Sequence, residues 1–233
     1  MGKRNSGAAP PEEAKGAAVA YNKREIVGYN KSLSKGLLIA ALAVFALMAW
    51  LVQSGCAGAI DEPLCFAVYA MRYEWLTKIL IVITYMGDWQ VITGVCVLCL
   101  LFRKSRARWG VPLSAAAIFT TILNKILKSI FQRVRPDVVL HLITQGGYSF
   151  PSGHSASSFA FYAMMIVLVN CYVKDKKKAR LLTGLLSILI FLIGASRVYL
   201  GVHYPTDVLG GWSEGLVVSL TVFGIYKKLL SER

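Results

Sequence analysis

Beyond residue 35 the chain alternates between long apolar runs and short polar connections. Apolar runs of about 17–21 residues are long enough to cross a bilayer as helices. This pattern places span 1 at 36–54, span 3 at 110–131, span 4 at 155–173, span 5 at 180–198 and span 6 at 207–226. Pro112 falls in the first turn of span 3, where its missing N–H is not needed. Residues 55–78 hold Asp61-Glu62-Pro63, Arg72, Glu74 and Lys78, which predict an external loop with an amphipathic helix. Span 2, at 79–102, contains Gly87-Asp88, so it reads as one helix or a broken one, with Asp88 at the outer boundary. A rival reading makes 64–86 a separate span, for seven in all. It would put Arg103-Lys104-Ser105-Arg106-Ala107-Arg108 outside, against the cytoplasmic bias of Lys and Arg. The predicted fold class is therefore all-α: a polytopic membrane helical bundle of six transmembrane helices with an extra external amphipathic helix.

Composition agrees with this. The 233 residues are 56% hydrophobic, which is high for a soluble domain of this length. The formal net charge of +14 raises nucleic acid as a partner, but its placement argues against that. Residues 1–35, 103–108, 174–180 and 227–233 hold 19 of the 26 Lys and Arg and 5 of the 12 acids, so the rest of the chain is neutral. A basic excess confined to alternate connections is the positive-inside pattern of a membrane protein, with both termini cytoplasmic. The expected organisation is a cytoplasmic basic tail over 1–35, ending in an interfacial helix around 22–35, a membrane domain over 36–228 and a cytoplasmic C-terminus over 229–233. Residues 1–35 are polar and carry no cleavable signal. Cys96-x-x-Cys99 has no second pair and no nearby His, so it does not predict a zinc site. Cys56 and Cys65 share the external loop, where a disulfide is possible in an oxidising compartment.

Three polar strings carry the chemistry. The first runs from Lys128 through Arg135 to Pro136; the second is Pro151-Ser152-Gly153-His154. The third is Ser196-Arg197, five residues, His203, three residues and Asp207. The first two lie between spans 3 and 4 and the third between spans 5 and 6, so all three emerge on one face, assigned by charge bias to the outside. Lys128 and Arg135 are seven apart and would share a face of one helix, which Pro136 ends near Arg135. They offer a point charge and a planar fork to phosphate oxygens. Ser152 can cap the helix that follows, Gly153 lets backbone approach a ligand, and a helix N-terminus favours an anion. His203 and Asp207 are four apart, a spacing that can bring a carboxylate to one ring nitrogen and leave the other free to attack.

With these internal spacings, the three strings resemble the type 2 phosphatidic acid phosphatase superfamily, which also includes vanadium haloperoxidases. The motifs run from Lys128 to Asp207, and the six-span plan extends the likeness over 36–228. The resemblance implies that Lys128, Arg135, Ser152, Gly153 and Arg197 bind phosphate, that His203 is the nucleophile with Asp207 as orienting partner, and that His154 is the general acid. It further implies chemistry that needs neither metal nor cofactor, on a lipid phosphate or pyrophosphate in the bilayer, at the extracytoplasmic face. Undecaprenyl pyrophosphate, phosphatidylglycerol phosphate and phosphatidic acid all fit; a lipid-to-lipid phosphotransferase using the same site is the alternative. Lys125 and Arg133 match no motif position and read as structural or peripheral, and His141 as a loop residue at the entrance. Glu214 lies seven residues beyond Asp207, about 10 Å deeper on the same face. An ionisable group there needs a partner, for which Lys125 is the candidate, or a wet pocket.

Overall fold

The computed structural model describes residues 31–232. The segment read as a cytoplasmic tail with an interfacial helix lies largely outside these residues. Eight principal helices follow in chain order: α1 Lys31–Gln53, α2 Gly58–Tyr69, α3 Glu74–Tyr85, α4 Trp89–Leu101, α5 Val111–Phe131, α6 Gly153–Tyr172, α7 Lys176–Tyr199 and α8 Pro205–Ser231. Among the described residues, five helical segments are each long and apolar enough to cross a membrane: Ser34–Gln53, Arg103–Phe131 and all of α6, α7 and α8. α3 and α4, bent by 42° at the break between them, are long and apolar enough for a sixth if taken as one span.

The sequence left span 2 open between a continuous and a broken helix; the broken form is present, with Asp88 at the break. Glu74 and Lys78 therefore lie on α3 rather than in the loop before it, which ends at Tyr73. The helix expected in the connection after span 1 is α2. It turns Asp61 and Cys65 inward while Ile60, Leu64 and Phe66 face outward. Cys56 and Cys65 are both free thiols.

α6 and α8 form the centre of the bundle, flanked by α7 on one side and α5 on the other. Two glycines of α8 set the closeness of this pair, as small residues do between helices in lipid. A Cβ at Gly211 would lie 2.5 Å from the Ser152 carbonyl oxygen, and one at Gly215 would lie 2.6 Å from that of Ala156. Gly211 thus seats the turn that opens α6 directly against α8. The core below is apolar, built on Leu113, Ala116, Phe161, Met164, Leu168 and Ile193.

The two ends of the bundle differ in chemistry. At one end Arg108 stacks on Tyr172, and the Tyr172 hydroxyl lies 2.9 Å from that of Tyr226 near the basic connections. All three polar strings gather at the other end.

Candidate active site

Helix α5 stops at Phe131 because Gln132 takes a left-handed conformation, with φ 47°. Arg135 is therefore not on the face of a helix shared with Lys128, as the spacing of seven suggested. The chain reverses instead, and the two cations converge on the segment Gly146–Ser149. Lys128 Nζ donates to the carbonyls of Tyr148 at 2.5 Å and Ser149 at 3.1 Å. Arg135 donates to Gly146 and Gly147, each at 2.9 Å, and to Val202 at 2.7 Å. One Arg135 nitrogen also lies 2.9 Å from His203 Nε2.

Arg197 comes from the last turn of α7 and is 1% exposed, so its fork is fixed by its surroundings. It donates to Thr84 Oγ1 at 2.8 Å and to Gln145 Oε1 at 2.6 Å, while its buried Nε has no hydrogen-bond partner among the described residues.

His203 sits in the turn between α7 and α8 and is almost wholly buried. Its Nδ1 is 3.4 Å from Asp207 Oδ2 and 3.3 Å from Ser149 Oγ. Ser149 itself donates to Asp207 Oδ2 at 2.5 Å, so a hydroxyl bridges the expected pair. Burial, followed by the charges of Arg135, Lys128 and Arg197, holds the His203 pKa well below the usual histidine range. This favours the uncharged ring, whose Nε2 faces the Arg135 guanidinium.

Ser152 occupies the position before α6 but does not cap it through its side chain. Its Oγ accepts from Ser155 Oγ at 2.9 Å, and its N–H donates to the Asp207 carbonyl at 3.0 Å. Gly153 begins α6, where an added Cβ would stand 3.1 Å from Asn124 Oδ1. His154 follows, and its Nε2 hydrogen-bonds to Asp88 Oδ1. A cavity of 360 Å³ opens beside this pair, lined in part by Thr84, Asp88, Thr144, Gln145, His154 and Arg197.

All eight residues singled out from the motifs are thus brought to one end of the bundle. The motifs did not reveal Asp88, Ser149, Asp61 or Asn124. Asp88 had a signal: it is an acid interrupting an apolar run, which is costly in a membrane unless it has a partner.

The pairing expected for Glu214 fails as well. Glu214 does not pair with Lys125, which faces outward. Its partner is Asn124, one residue earlier, whose Nδ2 donates to Glu214 Oε2 at 2.8 Å. One residue is about 100° of helix rotation, enough to separate a lipid-facing position from an inward one. Arg133, read from the sequence as structural or peripheral, takes the structural role. It donates to Asp207 Oδ1 and to Asp61 Oδ2, both at 2.6 Å. Burial alone would depress its pKa, yet these two carboxylates outweigh that and raise it.

The sequence model of the PAP2 superfamily matches residues 109–231, which contain all three strings. The chain belongs to the PAP2 superfamily. Among PAP2 relatives, phosphatidylglycerophosphatase B of Bacillus subtilis is 32% identical over 195 residues, covering 79% of this chain and 92% of its own. The undecaprenyl-diphosphatase of Sulfolobus acidocaldarius is 28% identical over 149 residues, covering 62% of this chain and 68% of its own. Among solved PAP2 structures, the transmembrane phosphatidylglycerolphosphate phosphatase from Bacillus subtilis superposes with a TM-score of 0.75 at 30% identity. That superposition covers 82% of this chain and 96% of the other. This PAP2 protein is a multi-pass membrane phosphatase, a hydrolase of phosphate esters.

Proposed function

We propose that this protein removes the terminal phosphate of a membrane lipid phosphate or pyrophosphate through a phosphohistidine on His203, at the extracytoplasmic face. The observation that supports this best is a pair of histidine–carboxylate units, His203 with Asp207 and His154 with Asp88, at the same end as three cations. Lys128, Arg135 and Arg197 neutralise the phosphate and the charge that develops in transfer, assisted by Ser152 and the Gly153 amide. The Nε of Arg197, which has no partner among the described residues, is a donor available to a phosphate oxygen. Neutral His203 attacks phosphorus through Nε2, and the bond to the lipid oxygen breaks. His154 protonates that leaving oxygen, then takes a proton from the water that hydrolyses the phosphohistidine. Asp88 holds the His154 ring in the orientation both steps need.

The charge bias of the connections supports cytoplasmic termini and an outward-facing site. The substrate classes named for the relatives include phosphatidylglycerol phosphate and undecaprenyl diphosphate, and both present a terminal phosphate on an apolar anchor. The test is phosphate release by purified protein in detergent with EDTA present. The panel is phosphatidylglycerol phosphate, phosphatidic acid and undecaprenyl pyrophosphate, each also run with His203→Ala. Release that survives EDTA and is lost in His203→Ala is the expected result. Release unchanged in His203→Ala would overturn the phosphohistidine mechanism. Loss of lipid phosphate without free phosphate would move the reading to phosphotransfer between lipids.

A further inference from the structure

Asp61 stands outside the three motifs and outside residues 109–231, yet it is completely buried beside the catalytic turn. It lies on the external helix α2. Its Oδ1 accepts from the Thr206 N–H at 2.9 Å, and its Oδ2 accepts from Thr206 Oγ1 at 2.7 Å. Oδ2 also accepts from Arg133 Nη2 at 2.6 Å, while Nη1 of the same arginine donates to Asp207 Oδ1. The guanidinium fork is thus shared between two carboxylates, and Arg133 also stacks 4.3 Å over the Tyr204 ring.

Charge accounting gives this arrangement a meaning. Taken alone, Arg133 and Asp207 are a neutral pair. His203 would then face Lys128, Arg135 and Arg197 with no net negative charge behind it. Adding Asp61 returns the group to one unit of net negative charge, directly behind the imidazole that becomes cationic as it takes up phosphate. Buried ionic groups interact strongly when every member is hydrogen-bonded, as all three are here.

We propose that Asp61 is a positioning residue for the phosphatase reaction: by sharing Arg133, it keeps the Asp207 carboxylate available to His203. This rests on the reading of His203 as nucleophile. The external helix then has a role in catalysis besides covering the site. Its loss would slow transfer while leaving the phosphate cradle intact.

The experiment uses full-length protein in detergent and compares Asp61→Asn with Glu62→Gln. Glu62 is the exposed neighbour on the same helix, so it controls for general surface charge. Two quantities are read: kcat for lipid phosphate hydrolysis, and the inhibition constant of inorganic phosphate. Asp61→Asn should lower kcat by about 10- to 100-fold, the range seen when a supporting partner of an active-site group is removed. Phosphate inhibition should stay as strong or become stronger, because one negative charge near the anion has gone. Glu62→Gln should change neither.

A merely structural role predicts that both readings weaken together, with a lower thermal midpoint, and that outcome overturns the proposal. Wild-type kcat in Asp61→Asn also overturns it. Arg133→Gln gives a second check: it leaves Asp61 and Asp207 buried and unshared, so Arg133→Gln and Asp61→Asn/Arg133→Gln should differ in kcat by less than the wild type and Asp61→Asn do. Equal steps would sink the sharing argument. His203→Ala separates the two levels. If it is inactive while Asp61→Asn is normal, only the positioning role fails; if it is active, the reading of the site fails first.

Discussion

The proposed attack by His203 needs a neutral ring in a setting rich in cations, and the same surroundings satisfy both demands. Burial and the neighbouring positive charges disfavour its protonated form, so the free base persists to lower pH than for an ordinary histidine. The acid limb of kcat/KM attributable to His203 should therefore fall below the usual histidine range. Arg135→Gln removes one of the cations that depress it, so this limb should move to higher pH, while KM rises through the lost phosphate contact. A pH–rate profile of both proteins on a soluble short-chain lipid phosphate checks the sign. Asp88 yields a separate prediction. If it orients the general acid, Asp88→Asn should slow lipid phosphate hydrolysis by about 10- to 100-fold, within the range of a general-acid contribution. The loss should shrink on p-nitrophenyl phosphate, whose leaving oxygen departs without a proton; an equal loss on both substrates would contradict the assignment. The motif residues were legible because their internal spacings resemble those of a known family, and the fold brings all eight to one end of the bundle. Asp61 and Asn124 were not, because each reaches its partner from an element 145 or 90 positions away and no local pattern marks that meeting; Asp88 stood out as an acid in an apolar run, but its partner His154, 66 positions on, did not.

Helix limits were legible wherever an apolar run ended in charges, and less so where the backbone departs from regular geometry. The left-handed Gln132 ends α5 earlier than Pro136 alone suggested, which changes how Lys128 and Arg135 meet. The α3–α4 break is similar: Gly87-Asp88 pointed to it, but only packing decided between a boundary and a bend. A Cβ at Gly87 would fall 2.8 Å from an Ile193 methyl, so the bend lets the chain press against α7 beside His154. The α6–α8 contact makes the strongest prediction at this scale. At Gly211 an added methyl meets the Ser152 carbonyl and cannot be relieved by moving a flexible side chain. Gly211→Ala should cost about 1–3 kcal/mol, the usual range for overpacking. It should also raise KM, since the displaced backbone is the Ser152-Gly153 turn. Gly224→Ala, later on the same helix and with open space around it, should be neutral or stabilising, as alanine is the better helix former. Thermal unfolding in detergent and KM measured on the same preparations distinguish the two sites; parallel behaviour would show that close packing at Gly211 does not seat the turn.

At the scale of the whole molecule, the charge pattern and the site are independent properties that select the same polarity. The site strings all lie at one end of the bundle, and among the described residues the Lys- and Arg-rich connections around 103–108 and 174–180 lie at the other. The orientation follows if the basic end stays in the cytoplasm, because translocating many Lys and Arg is costly. The native cysteines supply a test. Cys56 is exposed in the connection between α1 and α2 at the site end, whereas Cys65, Cys96 and Cys171 are buried. A membrane-impermeant maleimide added to intact cells should label Cys56, and Cys56→Ser should remove most of that label. In the Cys56→Ser background, a cysteine placed by Val139→Cys, where the native side chain is 88% exposed at the site end, should restore labelling. One placed by Lys104→Cys, in the basic connection, should label only after the membrane is permeabilised. The reverse result would put the phosphatase site on the cytoplasmic face, and its substrate would then have to come from the inner leaflet.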